Sequence, residues 1–262
     1  MGAKGTVLIT GASGGIGYEL AKLFARDGYE LVLVARSEDR LSRVAAELQQ
    51  NFQGNVKIFA TDLAAAGAAK TLFDRLERQG VVVDVLVNNA GFGVKGGFAG
   101  MEESEILGQI ALNITAITEL TRLYLPGMLA RRAGKIMNVA STAAFQPGPL
   151  MAVYFASKAY VLSFSQAVAN EVAGSGVVVS CFCPGATDTG FQKRAGMESS
   201  RLFKNFGAMK VETVARDGYR GLMAGKTLVF SGLQNRLSAE MVRFAPRKLA
   251  TAVARWTSER VE

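Results

Sequence analysis

The 262-residue chain contains no histidine. That absence excludes a Ser-His-Asp triad, a histidine general base and histidine-ligated zinc, so proton chemistry falls to Tyr, Lys, Asp, Glu or Cys. Cysteine is scarce too, with only Cys181 and Cys183 present. Residues two apart on a strand share a face, but their spacing suits a disulfide poorly, so free thiols in a reducing, cytoplasmic setting are expected. No metal site is expected. The chain has no signal-peptide pattern and no apolar run of eighteen residues, so no segment is expected to span a membrane. No run of five Lys or Arg occurs either, although the net charge is +8. Charge spread in this way argues against nucleic acid and suits a solvated surface and an anionic cofactor or substrate.

What is present is alternation. Short apolar runs at 6–10, 31–35, 56–60, 84–87, 135–139, 177–183 and 228–230 suit buried strands. Between them, 16–27, 40–50, 68–78, 102–130, 154–173 and 211–223 carry helical periodicity. Strands alternating with helices predict an α/β fold with a parallel sheet covered on both faces. No repeat or linker divides the chain, so a single domain over 1–262 is expected. Residues 187–210 depart from the alternation, mixing Phe191, Met197, Leu202, Phe203, Phe206 and Met209 with charges. They predict a substrate lid, extending to about residue 225 with the helix that follows. The tail, 231–262, predicts a helix opening at Pro246, with Leu249, Val253 and Trp256 on one face.

Residues 10–17, Thr-Gly-Ala-Ser-Gly-Gly-Ile-Gly, join the first strand to the first helix. Glycines allow positive φ and close backbone approach, and a helix start offers free N–H groups and a positive dipole end to a pyrophosphate. The spacing reads two ways, as Gly11/Gly15/Gly17 or as Gly11/Gly14/Gly17, and taken alone the segment also fits a plain tight turn. The second strand ends at Arg36, with Arg40 one helical turn on. Where a dinucleotide site places an acid against a ribose 2′-hydroxyl, a guanidinium suits a 2′-phosphate, which favours NADP(H) over NAD(H).

Tyr154 and Lys158 lie four residues apart, so on a helix they project from one face. A cation near a phenol favours its ionised form, and Lys158 is therefore expected to lower the pKa of Tyr154. Ser141 stands thirteen residues upstream of Tyr154. Asn113 falls on the apolar stripe of 102–130 beside Ile106, Ile110, Ile117 and Leu120, where a polar group needs a partner. Asp62 alone reads as a cap for the helix after it.

In order and spacing, Thr10 to Gly17, Asp62-Leu63, Asn88 to Gly91, Asn113, Ser141, Tyr154/Lys158 and Pro184-Gly185 with Thr189 resemble the short-chain dehydrogenase/reductase family in its compact single-domain form. The likeness covers roughly residues 6–230, and the tail is similar to the branch of long-chain 3-oxoacyl reductases and hydroxysteroid dehydrogenases. It implies a doubly wound, Rossmann-like three-layer sandwich around a seven-stranded parallel sheet, and it favours the Gly11/Gly15/Gly17 reading. It further implies that Gly11, Ser13, Gly14, Gly15, Ile16 and Gly17 hold the pyrophosphate and that Asp62 and Leu63 meet the adenine. Asn89, Ala90 and Gly91 would line the adenosine ribose, Pro184, Gly185, Thr187 and Thr189 the nicotinamide end, and Lys158 the nicotinamide ribose. Thr187 stands where the family commonly has an aliphatic residue. Tyr154 would be the proton donor, Ser141 would bond the substrate oxygen, and Asn113 would serve a relay to Lys158.

The expected reaction is reversible carbonyl reduction. An epimerase or dehydratase of the same fold, or a non-catalytic dinucleotide sensor, are the alternatives. The lid, with Phe92, Phe98, Phe145, Leu150 and Met151, predicts a lipophilic substrate: a 3-oxoacyl chain, a steroid-like ketone or an aromatic aldehyde. Family members commonly pair through their two long helices, which implies a homodimer or homotetramer. The basic tail could cover the pocket, bridge subunits or touch an anionic membrane.

Overall fold

A computed structural model describes residues 4–52, 54–205 and 207–259. Phe206, counted above with the lid, and residues 260–262 of the tail lie outside the described residues. Seven parallel strands form one sheet: β1 (Thr6–Thr10), β2 (Glu30–Ala35), β3 (Val56–Ala60), β4 (Val85–Asn88), β5 (Gly134–Val139), β6 (Val177–Cys183) and β7 (Leu228–Phe230). Their order is β3-β2-β1-β4-β5-β6-β7. The order reverses between β1 and β4, and a doubly wound sheet opens a crevice at that point, beyond the carboxyl ends of its strands.

Side-chain alternation builds the two outer layers. Val7 and Ile9 face one way and pack with Leu20 and Phe24 of α1 (Gly15–Arg26), Leu41 and Leu48 of α2 (Glu38–Phe52), and Val214 and Leu222 of the helix Val211–Met223. Leu8, Val32 and Leu86 face the other way, against Leu72 and Leu76 of α3 (Ala68–Arg78) and Leu120 and Met128 of the helix Ala116–Arg131. Burying each such leucine or phenylalanine contributes roughly 1.5–3 kcal/mol. All seven expected strands are present, each with its ends within one residue of the expectation.

The segment read as one helix over 102–130 is not uniform. It comprises α4 (Glu103–Ile110), a π-helical turn over Ala111–Thr115 and α5 (Ala116–Arg131). Asn113 sits inside that turn. The helix α6 (Ala152–Glu171) carries Tyr154 and Lys158. Two short helices, α7 (Phe191–Ala195) and α8 (Arg201–Asn205), lie in the segment after β6 and before α9 (Val211–Met223). The tail forms α10 (Leu233–Met241), absent from the sequence reading, and α11 (Arg247–Ser258), capped by Pro246 as expected. Leu233, Leu237 and Met241 on α10, Phe244 between the helices, and Leu249, Val253 and Trp256 on α11 are all exposed.

Candidate active site

The glycine-rich turn has the shape its residues imply. Gly11 and Gly15 adopt φ of 67° and 57°. A Cβ on Gly17 would lie 2.5 Å from the Gly11 carbonyl oxygen and 2.6 Å from Asn89 Nδ2, so only glycine lets α1 approach β1 this closely. Gly14 is the N-cap of α1, with no side chain bonded to the helix start and no acid in its first turn. Nothing lies within 4 Å of where a Gly14 Cβ would be. A twelve-residue helix thus points its uncapped N–H groups and positive end into an open glycine cradle, which fits a dinucleotide pyrophosphate. Ser13 and Ile16 complete the turn, with Ile16 packed on the core.

Thr10 and the segment after β4 fix that turn from beneath. Thr10 Oγ1 accepts from the N–H groups of Asn89 and Ala90, both at 2.9 Å. Asn89 Nδ2 donates to the carbonyls of Thr10 (2.9 Å) and Gly11 (3.3 Å). The Asn89 amide is therefore committed to the backbone of the turn, a scaffold role beside the ribose contact that the resemblance implies. Below it, Asn88 Nδ2 donates to Thr121 Oγ1 and Asn138 Oδ1, and Asn138 Nδ2 to Ser165 Oγ, a buried polar chain tying β4 and β5 to the helices on that face.

Asp62 does not cap a helix. Its carboxylate accepts from Ala64 N–H at 3.0 Å in a local turn, and α3 begins only at Ala68 behind Gly67. The intervening residues make the cap geometry impossible. Leu63 is buried in the core. Arg36 is exposed directly after Ala35, the last residue of β2.

Asn113 is fully buried and its partners are explicit. Its Oδ1 accepts from Phe92 N–H (3.1 Å), and its Nδ2 donates to Phe92 O (2.8 Å) and Ser157 Oγ (3.1 Å). The amide thus clamps the loop after β4, and the wide π turn carries it there. Ser157 in turn donates to Tyr154 O at 2.7 Å. A Cβ on Gly91 would lie 3.0 Å from Asn113 Oδ1 and 3.4 Å from Lys158 Nζ, so glycine keeps these two groups in view of each other.

The Ser141 hydroxyl lies near enough to the Tyr154 phenol to favour its ionised form. Ser141 also caps the turn Thr142–Phe145, accepting from Ala143 N–H at 3.1 Å, and reaches Pro184 O at 3.4 Å. Lys158 Nζ stands 5.8 Å from the centroid of the Tyr154 ring and donates to Val139 O at 2.8 Å. The acidified tyrosine read from the spacing is not what this geometry produces. Burial pushes the Tyr154 phenol up to about 12, and the nearby Ser141 hydroxyl is the one influence that lowers it. Lys158 is nine-tenths buried or more, and burial brings its ammonium down to about 8, partly offset by Cys181 and Cys183 beside it. Desolvation exceeds the charge effect because the ammonium bonds a carbonyl instead of the phenol.

Sequence reasoning missed the thiols here. Cys181 and Cys183 are buried and unbridged, with their sulfurs 3.8 Å apart, on the strand face toward Val161 of α6. Period-two alternation could have placed them there.

The segment 187–210 is pinned at its base by backbone bonds from Met209 N–H to Ala186 O and from Asp188 N–H to Met209 O, both 2.9 Å. Thr187 is buried and bonds Gly185 O, and Gly185 packs against Asn235 of α10. Thr189 lies over the glycine turn, 3.4 Å from where a Gly15 Cβ would be. Met151, Ala195 and Met197 form a buried cluster with Tyr154, Phe155, Phe191, Leu202 and Phe203. The rings of Tyr154 and Phe191 have centroids 5.2 Å apart. Of the other apolar residues expected at the pocket, Phe98 is exposed and Phe145 stacks on Phe230. Leu150 is held at a φ of 67°, and its carbonyl accepts from Gly96 N–H. Among the described residues no cluster of His, Cys, Asp and Glu could hold a metal ion, and no helix is long and apolar enough to cross a membrane.

A dinucleotide cradle at the sheet's switch point, beside a half-buried Ser141/Tyr154 pair and a buried Lys158, defines a nucleotide-dependent oxidoreductase fold. The family model for short chain dehydrogenase matches residues 5–199, and the chain belongs to that family. It is 34% identical over 183 residues to the very-long-chain 3-oxoacyl-CoA reductase of Anas platyrhynchos, covering 68% of this chain and 58% of that one. The chain thus spans little more than half the length of that relative. Among solved structures, a short-chain dehydrogenase from Sphingobium yanoikuyae in complex with NADPH superposes with a TM-score of 0.84 at 33% identity, over 94% of each chain. The bulky-bulky ketone specific alcohol dehydrogenase of Comamonas testosteroni gives 0.78 at 28%, over 92% of each.

Proposed function

We propose that this protein is an NADP(H)-dependent oxidoreductase that moves a hydride between nicotinamide and the carbonyl or alcohol carbon of a lipophilic substrate. The observation that carries the reading is the neighbouring Ser141 and Tyr154 hydroxyls with Lys158 buried beside the Tyr154 ring, at the edge of an uncapped glycine cradle. When bound, the nicotinamide supplies or takes up the hydride. Everything else falls to this chain's own groups. Gly11 to Gly17 hold the pyrophosphate, and Arg36 meets the 2′-phosphate, a choice supported by the NADPH bound to the Sphingobium relative.

In reduction, negative charge grows on the substrate oxygen. Ser141 Oγ and Tyr154 Oη aim at that atom, and Tyr154 gives up its proton there. A phenol pushed up to about 12 holds its proton at neutral pH, as an acid must before transfer. The charged Lys158 then stabilises the phenolate left behind, and it hydrogen-bonds the nicotinamide ribose. Asn113 acts by holding Phe92 and facing Lys158 across Gly91. Asp62 faces the adenine, Asn89, Ala90 and Gly91 border the adenosine ribose, and Pro184, Gly185, Thr187 and Thr189 border the nicotinamide.

The apolar cluster of Met151, Phe155, Phe191 and Met197 against Tyr154 favours a 3-oxoacyl, steroid-like or aromatic substrate over a small polar one. The test is NADPH oxidation with a ketone panel by wild type and Tyr154→Phe. Turnover of lipophilic ketones, lost about 10²–10⁴-fold in the variant while NADPH still binds, supports the reading. Unchanged turnover in the variant, or turnover of small sugars alone, overturns it.

Partners follow from exposed faces. Leu107 and Ile110 of α4, Leu129 of α5 and Tyr160 of α6 lie at the surface, which supports a homodimer or homotetramer built on these helices. The exposed apolar residues of α10 and α11, flanked by Arg236, Arg243, Arg247 and Lys248, support peripheral contact with an anionic membrane. Two unbridged thiols support a cytoplasmic location.

A further inference from the structure

The sequence reading placed Arg36, with Arg40 a turn on, on the cofactor side of the fold, and the structure brings a further guanidinium within electrostatic reach of Arg36. Arg194 lies in α7 of the lid, 158 residues away in sequence, and its Cζ stands 4.1 Å over the ring of Phe92. Phe92 is a fixed platform, because Asn113 holds both its N–H and its carbonyl. The next lid residue is also tied, through Lys95 N–H to Ala195 O at 3.1 Å. Thr189, five residues before Arg194, rests over Gly15 of the pyrophosphate turn. The lid therefore spans the cofactor crevice, with Arg194 on its inner side.

What Arg194 meets there is unusual. Among the described residues neither Arg36 nor Arg194 forms an ion pair with a carboxylate. The two guanidinium groups are near enough for Arg36 to disfavour the charge on Arg194, after the desolvation it suffers against Phe92, and Asp62 offsets this only in part. Two like charges that Asp62 offsets only in part cost free energy, and a shared anion removes that cost. A guanidinium held over an aromatic ring keeps its N–H fork free for bidentate bonds to phosphate.

We propose that Arg194 is a phosphate-binding residue carried by the lid, which together with Arg36 grips a phosphate of the bound dinucleotide and so makes lid closure depend on the cofactor. This rests on the dinucleotide reading given above. The phosphate is either the ribose 2′-phosphate or the pyrophosphate, and the two are separable by the cofactor used.

The experiment titrates NADPH and NADH into wild type, Arg194→Gln and Arg194→Lys by fluorescence. Limited chymotrypsin digestion at the lid phenylalanines is run with and without NADP⁺ alongside. Loss of a charged bidentate contact should weaken NADPH binding by roughly 10-fold or more in Arg194→Gln, with partial recovery in Arg194→Lys. A loss confined to NADPH assigns the 2′-phosphate, and an equal loss for NADH assigns the pyrophosphate. NADP⁺ should slow cleavage of the wild-type lid and leave that of Arg194→Gln unprotected. If wild type binds NADPH and Arg194→Gln binds it equally well, the proposal is overturned and the dinucleotide reading stands. If wild type binds neither dinucleotide, both fall together.

Discussion

Replacing Lys158 with methionine should stabilise the cofactor-free protein, and the gain should depend on pH in a direction fixed by the structure. The ammonium is buried, and burial lowers its pKa from 10.5 to about 8. Below about pH 8 both folded and unfolded chains carry the proton, so the folded state bears the whole cost of a buried charge. Between pH 8 and 10.5 the unfolded chain still binds the proton while the folded chain has released it, so wild-type stability rises with pH. A shift of this size changes the difference between wild type and variant by about 2.5 kcal/mol between pH 7 and pH 10. At roughly 2 °C per kcal/mol for a chain of this length, that is about 5 °C in Tm. The substitution also leaves Val139 O without its donor, a penalty of about 1–3 kcal/mol that does not vary with pH. The assay is thermal unfolding by circular dichroism at both pH values, reading the change in the Tm difference. A Tm difference that stays constant from pH 7 to 10 would refute the claim that a buried, partly discharged lysine lies in this site. NADPH binding should weaken in the same variant, since a destabilising charge kept in a cleft is kept for a ligand.

Two further substitutions test the scaffold. Gly17→Ala places a Cβ 2.5 Å from the Gly11 carbonyl, a backbone clash that should cost about 1–3 kcal/mol in urea unfolding and abolish measurable NADPH binding. Asn113→Ala leaves both the N–H and the carbonyl of Phe92 unpaired, which should cost about 2–4 kcal/mol by the same measurement. It should also speed hydrogen exchange at Phe92 and its neighbours, an effect a general loss of stability elsewhere would not localise.

The architecture was legible because its signals are local. Seven apolar runs separated by helical periodicity require only neighbouring residues to agree, and the four-residue spacing of Tyr154 and Lys158 did put both on α6. The glycine turn was legible for the same reason. The π turn around Asn113 was not, because its cause lies 21 residues upstream, in the backbone of Phe92. Nor was the orientation of Lys158, which depends on a carbonyl of β5 and on thiols of β6 that meet it only in the folded sheet. Asp62 misled because a short acidic residue before a helix commonly caps it, whereas here Ala64 N–H takes the carboxylate first. Helix α10 escaped notice because its apolar residues face solvent and so lack a core-facing stripe.

The clamp that Asn89 exerts on the Thr10–Gly11 carbonyls has a consequence for biosynthesis. The partners lie 79 and 78 positions apart, so this loop leaves the ribosome well before the residues that shape it. A nascent chain that has completed only β1, α1 and β2 has the glycines but not the brace, and β4 must dock beside β1 before the loop is rigid. Nucleotide in the cell therefore cannot template the early stages of folding. It rewards only chains whose central strands are already in register, and its stabilisation arrives as a late check on assembly.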